Sequence, residues 1–125
     1  MTTDDPQPMA AHCGPGNHYP WGDGCDGWVL EGGPGLLVIE ERMPAGASEA
    51  WHVHDVARQF FYLLTGRATL HTPSGRVELS ERSGVAVPAG LAHRIVAGAD
   101  VDTTFLVVSA PSTVGDRRDV PAPTD

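Results

Sequence analysis

Between Leu36 and Ser109 the chain is written as short, mostly apolar runs, each closed by a turn-forming residue. Runs of this length, rich in branched and aromatic side chains, read as β-strands. They are Leu36–Arg42, Ala50–His54, Gln59–Leu64, Arg67–Thr72, Arg76–Leu79, Gly84–Val87, His93–Val96 and Val101–Ser109. Pro44-Ala45-Gly46, Thr65-Gly66 and Pro73-Ser74-Gly75 punctuate them. In Gln59–Leu64, alternation puts Phe61 and Leu63 on one face and Phe60, Tyr62 and Leu64 on the other. A strand apolar on both faces is one covered on both sides. No stretch holds a helical period with caps, so the pattern predicts an all-β sandwich or barrel. No internal repeat is visible.

The ends have a different texture. Residues 13–35 are dense in glycine and proline yet contain Tyr19, Trp21 and Trp28. Such a segment cannot be a helix, while its aromatics call for burial. It is expected to be an arm wrapped over the body. The expected organisation is a flexible N-terminus over 1–18, one domain including the arm over 19–109, and a disordered Pro/Asp/Arg tail over 110–125.

Length and charge narrow the function. The 125 residues fit one domain with a real core. The net charge is −8, and all eight basic residues are arginine. A chain this acidic is repelled by phosphate backbones, which disfavours nucleic-acid binding. No apolar run is long enough to span a bilayer. The N-terminus lacks the basic-then-apolar plan of a signal peptide. These points predict a cytoplasmic protein whose two cysteines, Cys13 and Cys25, stay reduced.

The chemistry concentrates in Trp51-His52-Val53-His54. In an extended strand, residues i and i+2 share a face, so both imidazoles aim at one point. Neutral imidazole is the commonest protein ligand for a transition metal. Gln59 opens the next strand, and Pro88-Ala89-Gly90 forms a turn that delivers a third imidazole, His93. Trp51 points away from the His52/His54 face, as packing or an interface residue. His71 reads as a surface histidine. His12, Cys13 and His18 have no recognised ligand spacing.

In full, the pattern is Gly46-x5-His52-x-His54-x4-Gln59-x6-Gly66, a spacer, then Pro88-x-Gly90-x2-His93. It resembles the two motifs of the cupin superfamily, small jelly-roll barrels of the double-stranded β-helix type, over roughly residues 36–108. The resemblance implies one divalent transition metal (Fe, Ni, Zn, Co, Cu or Mn) with its ligand positions at His52, His54, Gln59 and His93; Gln59 is open to two roles, metal ligand or a group off the metal that hydrogen-bonds a substrate or O₂. The chain departs from the family pattern in three places. Gln59 stands where the fourth ligand is usually Glu, Arg82 where a glycine opens the second motif, and Ala97 where an asparagine is usual. An amide in place of a carboxylate leaves the full charge on the metal, which favours an anionic substrate.

The resemblance also implies a homodimer acting on a small polar molecule, with metal-dependent (Fe or similar) dioxygenation the first expectation. A non-redox isomerase or lyase is the second, weakened because no general base stands out. A non-catalytic metabolite-binding or sensor module is the third. Phe61, Leu63, Arg42 and Cys25 are the expected pocket candidates.

Overall fold

The computed structural model describes residues 5–124, and among these it holds eleven strands and no helix. They are β1 (His18–Trp21), β2 (Cys25–Gly32), β3 (Leu37–Met43), β4 (His52–Val53), β5 (Arg58–Thr65), β6 (Ala68–Thr72), β7 (Gly75–Leu79), β8 (Gly84–Val87), β9 (Arg94–Ala97), β10 (Thr103–Ala110) and β11 (Arg118–Asp119). A six-stranded sheet runs β1-β2-β3-β10-β5-β8, all neighbours antiparallel. A second layer runs β7-β6-β9, and single bridges Ser48↔Val96 and His52↔His93 carry it on to the pair β4-β11. This is the all-β jelly-roll barrel expected.

The inner faces follow the two-residue period. Phe61, Leu63, Phe105 and Val107 from the large sheet meet Leu70, Leu79, Ile95 and Ala97 in one apolar core. The core fills one end of the barrel; the other end stays hollow and polar. The motif glycines Gly46, Gly66 and Gly90 all have positive φ, the turn conformation that glycine takes without strain. Arg82, in the position of the missing motif glycine, takes φ 66°, so the turn survives without its usual residue.

Two segments differ from expectation. The glycine-rich arm is a β-hairpin, β1-β2, added to the edge of the large sheet at β3. Gly27 permits this: a Cβ there would lie 2.2 Å from the Tyr19 ring, which instead crosses flat over β2. The Pro/Asp/Arg segment after β10, expected to be disordered, is laid down as a strap. Its β11 pairs with β4 (Arg118↔Val53, Asp119↔His52), and Val120 N–H donates to the Trp51 carbonyl. Composition misses this because the strap is anchored by hydrogen bonds, not by apolar burial. The Asp116 carboxylate accepts from the backbone N–H groups of Asp55, Val56 and Ala57, and Arg118 forms a two-pronged pair with Asp55. Residues 1–4 of the expected flexible N-terminus, and Asp125, lie outside the described residues. Cys13 is exposed and Cys25 buried, both as free thiols. Among the described residues, no helix is long and apolar enough to cross a membrane.

Candidate metal centre

His52, His54 and His93 meet at the hollow end of the barrel. All three are buried, with ring centroids 4.4–5.8 Å apart, and one ligand atom from each lies within 4.8 Å of the others. The backbone sets the meeting. His52 and His93 face each other across a bridge, exchanging N–H···O bonds of 3.1 and 2.9 Å, and His54 follows two residues along the same strand face. The group is positioned to bind a metal.

Hydrogen bonding selects the ligand atoms. His52 Nδ1 lies 2.9 Å from the Ala50 carbonyl and His93 Nδ1 2.8 Å from that of Leu91. His54 Nδ1 meets the carbonyl of Asp116. A carbonyl only accepts, so each Nδ1 carries the proton and each Nε2 keeps its lone pair, the tautomer that outer hydrogen bonds impose on ligating histidines. Burial, the dominant cause, pushes His52 down to about 3 and also lowers His93, so both imidazoles are neutral at ordinary pH.

Gln59 lies beside the three histidines. Its Nε2 donates to the Ser109 hydroxyl at 3.0 Å, across the β5–β10 register that pairs the two residues. Its Oε1 then lies 3.1 Å from His93 Nε2. The three imidazole nitrogens fit a divalent transition metal, and the Gln59 amide lies beside them.

His52 and His54 open on a cavity of about 210 Å³, some seven water volumes at ~30 Å³ each. Trp21, Ile39, Phe61 and Val107 supply apolar wall; Tyr19, Glu41, Glu49, Thr113 and Arg117 supply polar groups. Tyr19 donates its hydroxyl to Glu41 Oε2 at 2.7 Å. Burial raises the Glu41 carboxyl to about 7, against the opposing pull of the Tyr19 hydroxyl and the Arg117 charge. Burial, then the Glu41 charge, raises Glu49 to about 8, opposed by Arg117 and by the Ile95 N–H. Burial and then Glu41 push the Tyr19 phenol up as well. Glu49 also approaches His52 Nδ1 at 3.8 Å.

Of the expected pocket candidates, Phe61 lines the cavity and the other three do not. Leu63 is fully enclosed in the apolar core, deeper than the cavity floor. Cys25 is buried in the core beside Met43. Arg42 lies on the outer face of β3, paired with Asp26 at 3.1 Å and Asp102 at 3.0 Å. Trp51 faces outward against His71 and Arg94.

Sequence reasoning missed Glu41, Glu49, Tyr19 and Arg117. The parity that puts Arg42 outside puts Leu37, Ile39, Glu41 and Met43 inside, so Glu41 was open to the same alternation argument. Glu49 and Arg117 carry no local signal, because a loop and the strap deliver them.

The family model described as "Cupin domain" matches residues 39–109. A search of the curated proteins finds no significant match. Among solved structures, KdgF from Halomonas sp. superposes with a TM-score of 0.70 at 19% identity, over 76% of this chain and 87% of that one. A sugar phosphate isomerase of the cupin superfamily from Silicibacter pomeroyi gives 0.65 at 26%, over 71% and 60%. The nucleoside dehydratase Pac13, from Streptomyces, gives 0.72 at 15%, over 87% and 89%.

Proposed function

Because the chain belongs to the cupin family, we propose that it is a metal-dependent enzyme that moves protons on a small oxygen-bearing molecule, as an isomerase or lyase. One observation carries this reading. The Tyr19–Glu41 pair opens on the same cavity as His52, His54 and Gln59, with the carboxyl near 7. It supplies the general base the sequence did not reveal, and it moves this reading ahead of dioxygenation. Of the similar structures, two are named for non-redox reactions, an isomerase and a dehydratase.

His52, His54 and His93 hold the metal through Nε2, and Gln59 offers Oε1 as the fourth donor. When bound, a divalent metal supplies Lewis acidity that polarises a substrate oxygen. Glu41 does the proton work. With its carboxyl at about 7, both protonation states are populated at neutral pH, the condition that suits a general acid–base. As carboxylate it would remove the proton from the carbon next to the substrate's carbonyl carbon, the C–H electron pair passing into the carbonyl to give an enolate. Tyr19 holds Oε2 and leaves Oε1 free to receive that proton. Glu41 then returns it to a neighbouring carbon, completing an isomerisation, or to a departing hydroxyl, completing an elimination. Trp21, Ile39 and Phe61 pack the carbon skeleton and exclude competing water.

The test loads the protein with Zn(II), Co(II) or Fe(II) and presents small hydroxy and oxo compounds in D₂O, followed by NMR. Metal-dependent deuterium incorporation or loss of water is expected, abolished in Glu41→Gln while metal affinity persists. O₂ uptake with Fe(II) and no exchange would overturn the reading. The assembly proposed is a homodimer, supported by Leu36 and Phe60, which are 42% and 43% exposed on the outer face of the large sheet.

A further inference from the structure

We propose that Arg117 is the substrate-recognition residue of this cavity and that the substrate carries one anionic group, a carboxylate or a phosphate. The inference rests on the reading of the cavity as a metal-dependent active site and names the substrate class for it.

The first argument is geometric. Arg117 belongs to the C-terminal strap, outside both histidine motifs, yet its side chain forms part of the cavity wall. The strap cannot slide: Asp116 is fixed by three backbone N–H groups on one side and Arg118 by Asp55 on the other. Arg117 is thus held between two anchored neighbours. Its Nε donates to exposed Asp119 at 3.2 Å. On the cavity side, its Nη1 stands 3.6 Å from Glu49 Oε2, an ion-pair distance too long for a good hydrogen bond. A guanidinium has five donors in a rigid fork that matches carboxylate and phosphate oxygens. Beyond the Asp119 bond the guanidinium makes only the long Glu49 contact, and it borders both the cavity and solvent, its side chain 42% exposed.

The second argument is charge. Three imidazoles and the Gln59 amide bring no negative charge to a divalent cation. Glu41 and Glu49 are the acids lining the cavity, and with both ionised they only match that cation. Arg117 then leaves the cavity with net positive charge in every protonation state of the two acids. A carboxylate at position 59 would cancel that excess. Gln59 and Arg117 are therefore two halves of one feature, and a single anionic group on the substrate neutralises it. Asp119, its side chain 71% exposed, does not line the cavity, whereas Arg117 does.

The test uses the Zn(II)-loaded protein and calorimetric titration, with no catalytic readout. The probes are three- to six-carbon hydroxy acids, their uncharged amides, inorganic phosphate and a sugar phosphate. An acid or a phosphate is expected to bind, with the matched neutral compound at least tenfold weaker. Arg117→Gln should weaken the anion at least tenfold, and Arg117→Lys should recover part of it. The far-ultraviolet circular dichroism of both variants should match wild type and their Zn(II) affinity should not fall below it, which separates recognition from folding. The carboxylate and phosphate arms identify which anion the site takes. Equal binding of acid and amide, no binding of any anion, or undiminished anion binding by Arg117→Gln would each overturn the proposal. Anion binding through Arg117 without metal-dependent proton exchange would sink the catalytic reading and leave this one standing.

Discussion

The Asp116 carbonyl holds the Nδ1 hydrogen of His54 across 62 residues of chain. One ligand of the candidate metal centre is thus oriented by the C-terminal strap, while the other two are oriented by carbonyls two residues away in their own motifs. The strap is part of the site, and the state of the strap and the state of the metal are linked.

That linkage is testable at Asp116. Its carboxylate caps the turn at Asp55–Ala57, so Asp116→Ala frees the strap without touching a ligand. Loss of an outer partner to a ligating histidine costs about 10–100-fold in metal affinity. Competition titration with a chelating dye should find a loss near the lower end of that range, about tenfold. Proteolysis should cut the strap faster in the variant, and added metal should slow the cut.

Gln59→Glu restores the ligand type usual in the family. If Oε1 is a donor, exchanging a neutral amide for a carboxylate should tighten metal binding by roughly tenfold or more, the worth of one charge-assisted contact. The same change removes the positive excess in the cavity and should weaken anion binding. Unchanged metal affinity would place Gln59 outside the coordination sphere. Titration with Zn(II) and Co(II) decides it, and the Co(II) spectrum reports the change in donor directly.

The motif histidines and the strand positions were legible because both depend on local spacing. His52, His54 and Gln59 lie within eight residues, and their directions follow from the two-residue period. Turn residues then place His93 where the histidine bridge needs it. What stayed hidden depends on long-range placement. The hairpin β1-β2 is written in glycine and proline, which mask strands in any propensity reading, and only the fit of Tyr19 over Gly27 explains them. Val114 and Val120 are the only large apolar residues of the strap, so composition reads it as loose; its order comes from Asp116 and Arg118 finding partners some 60 residues back. Arg42 and Glu41 are adjacent in sequence and opposite in role, which shows how much one step of parity decides.

Phe60 tests the assembly. It is 43% exposed, stacks on Tyr62, and lies beside Leu36, Ala86 and Val108 on the outer face. Phe60→Glu should leave the fold intact and turn a dimer into a monomer in sedimentation. A wild type that sediments as a monomer at all concentrations would remove the dimer.

Glu41 should leave a mark on stability in the metal-free protein. Its carboxyl rises from an ordinary 4.5 to about 7 on folding. The folded state therefore holds the proton more tightly, so its contribution is fully present below 4.5 and is lost as pH rises to about 7. The shift corresponds to something on the order of 3 kcal/mol. His52 works in the opposite sense: lowered from 6.5 to about 3, it favours the folded state increasingly as pH climbs through that window. Comparing Glu41→Gln with wild type largely cancels the imidazole contribution. The variant should match wild type near pH 5 and be the more stable protein at pH 8, by urea unfolding. Part of the gain will come through Glu49, whose raised value owes something to the Glu41 charge.

The last prediction separates the two ends of the Tyr19–Glu41 contact. The Tyr19 hydroxyl stabilises the Glu41 carboxylate and so holds its titration down against burial. Tyr19→Phe removes that donor and keeps the ring, so the Glu41 titration should climb by about one unit, the size of a single hydrogen bond to a charged group. In a pH profile of metal-dependent proton exchange, the limb that requires the carboxylate should move to higher pH by the same amount. Gly27→Ala disturbs the pair differently. A Cβ 2.2 Å from the Tyr19 ring forces the ring off β2, against a hairpin that closes the barrel edge. This variant should lose both the hydrogen bond and the packing of the arm, with a lower Tm, a wider cavity and the same upward move of the limb. A Tyr19→Phe profile identical to wild type would show that proton transfer does not pass through Glu41. Glu49, the other carboxyl opening on the cavity, would then be the remaining candidate for the base.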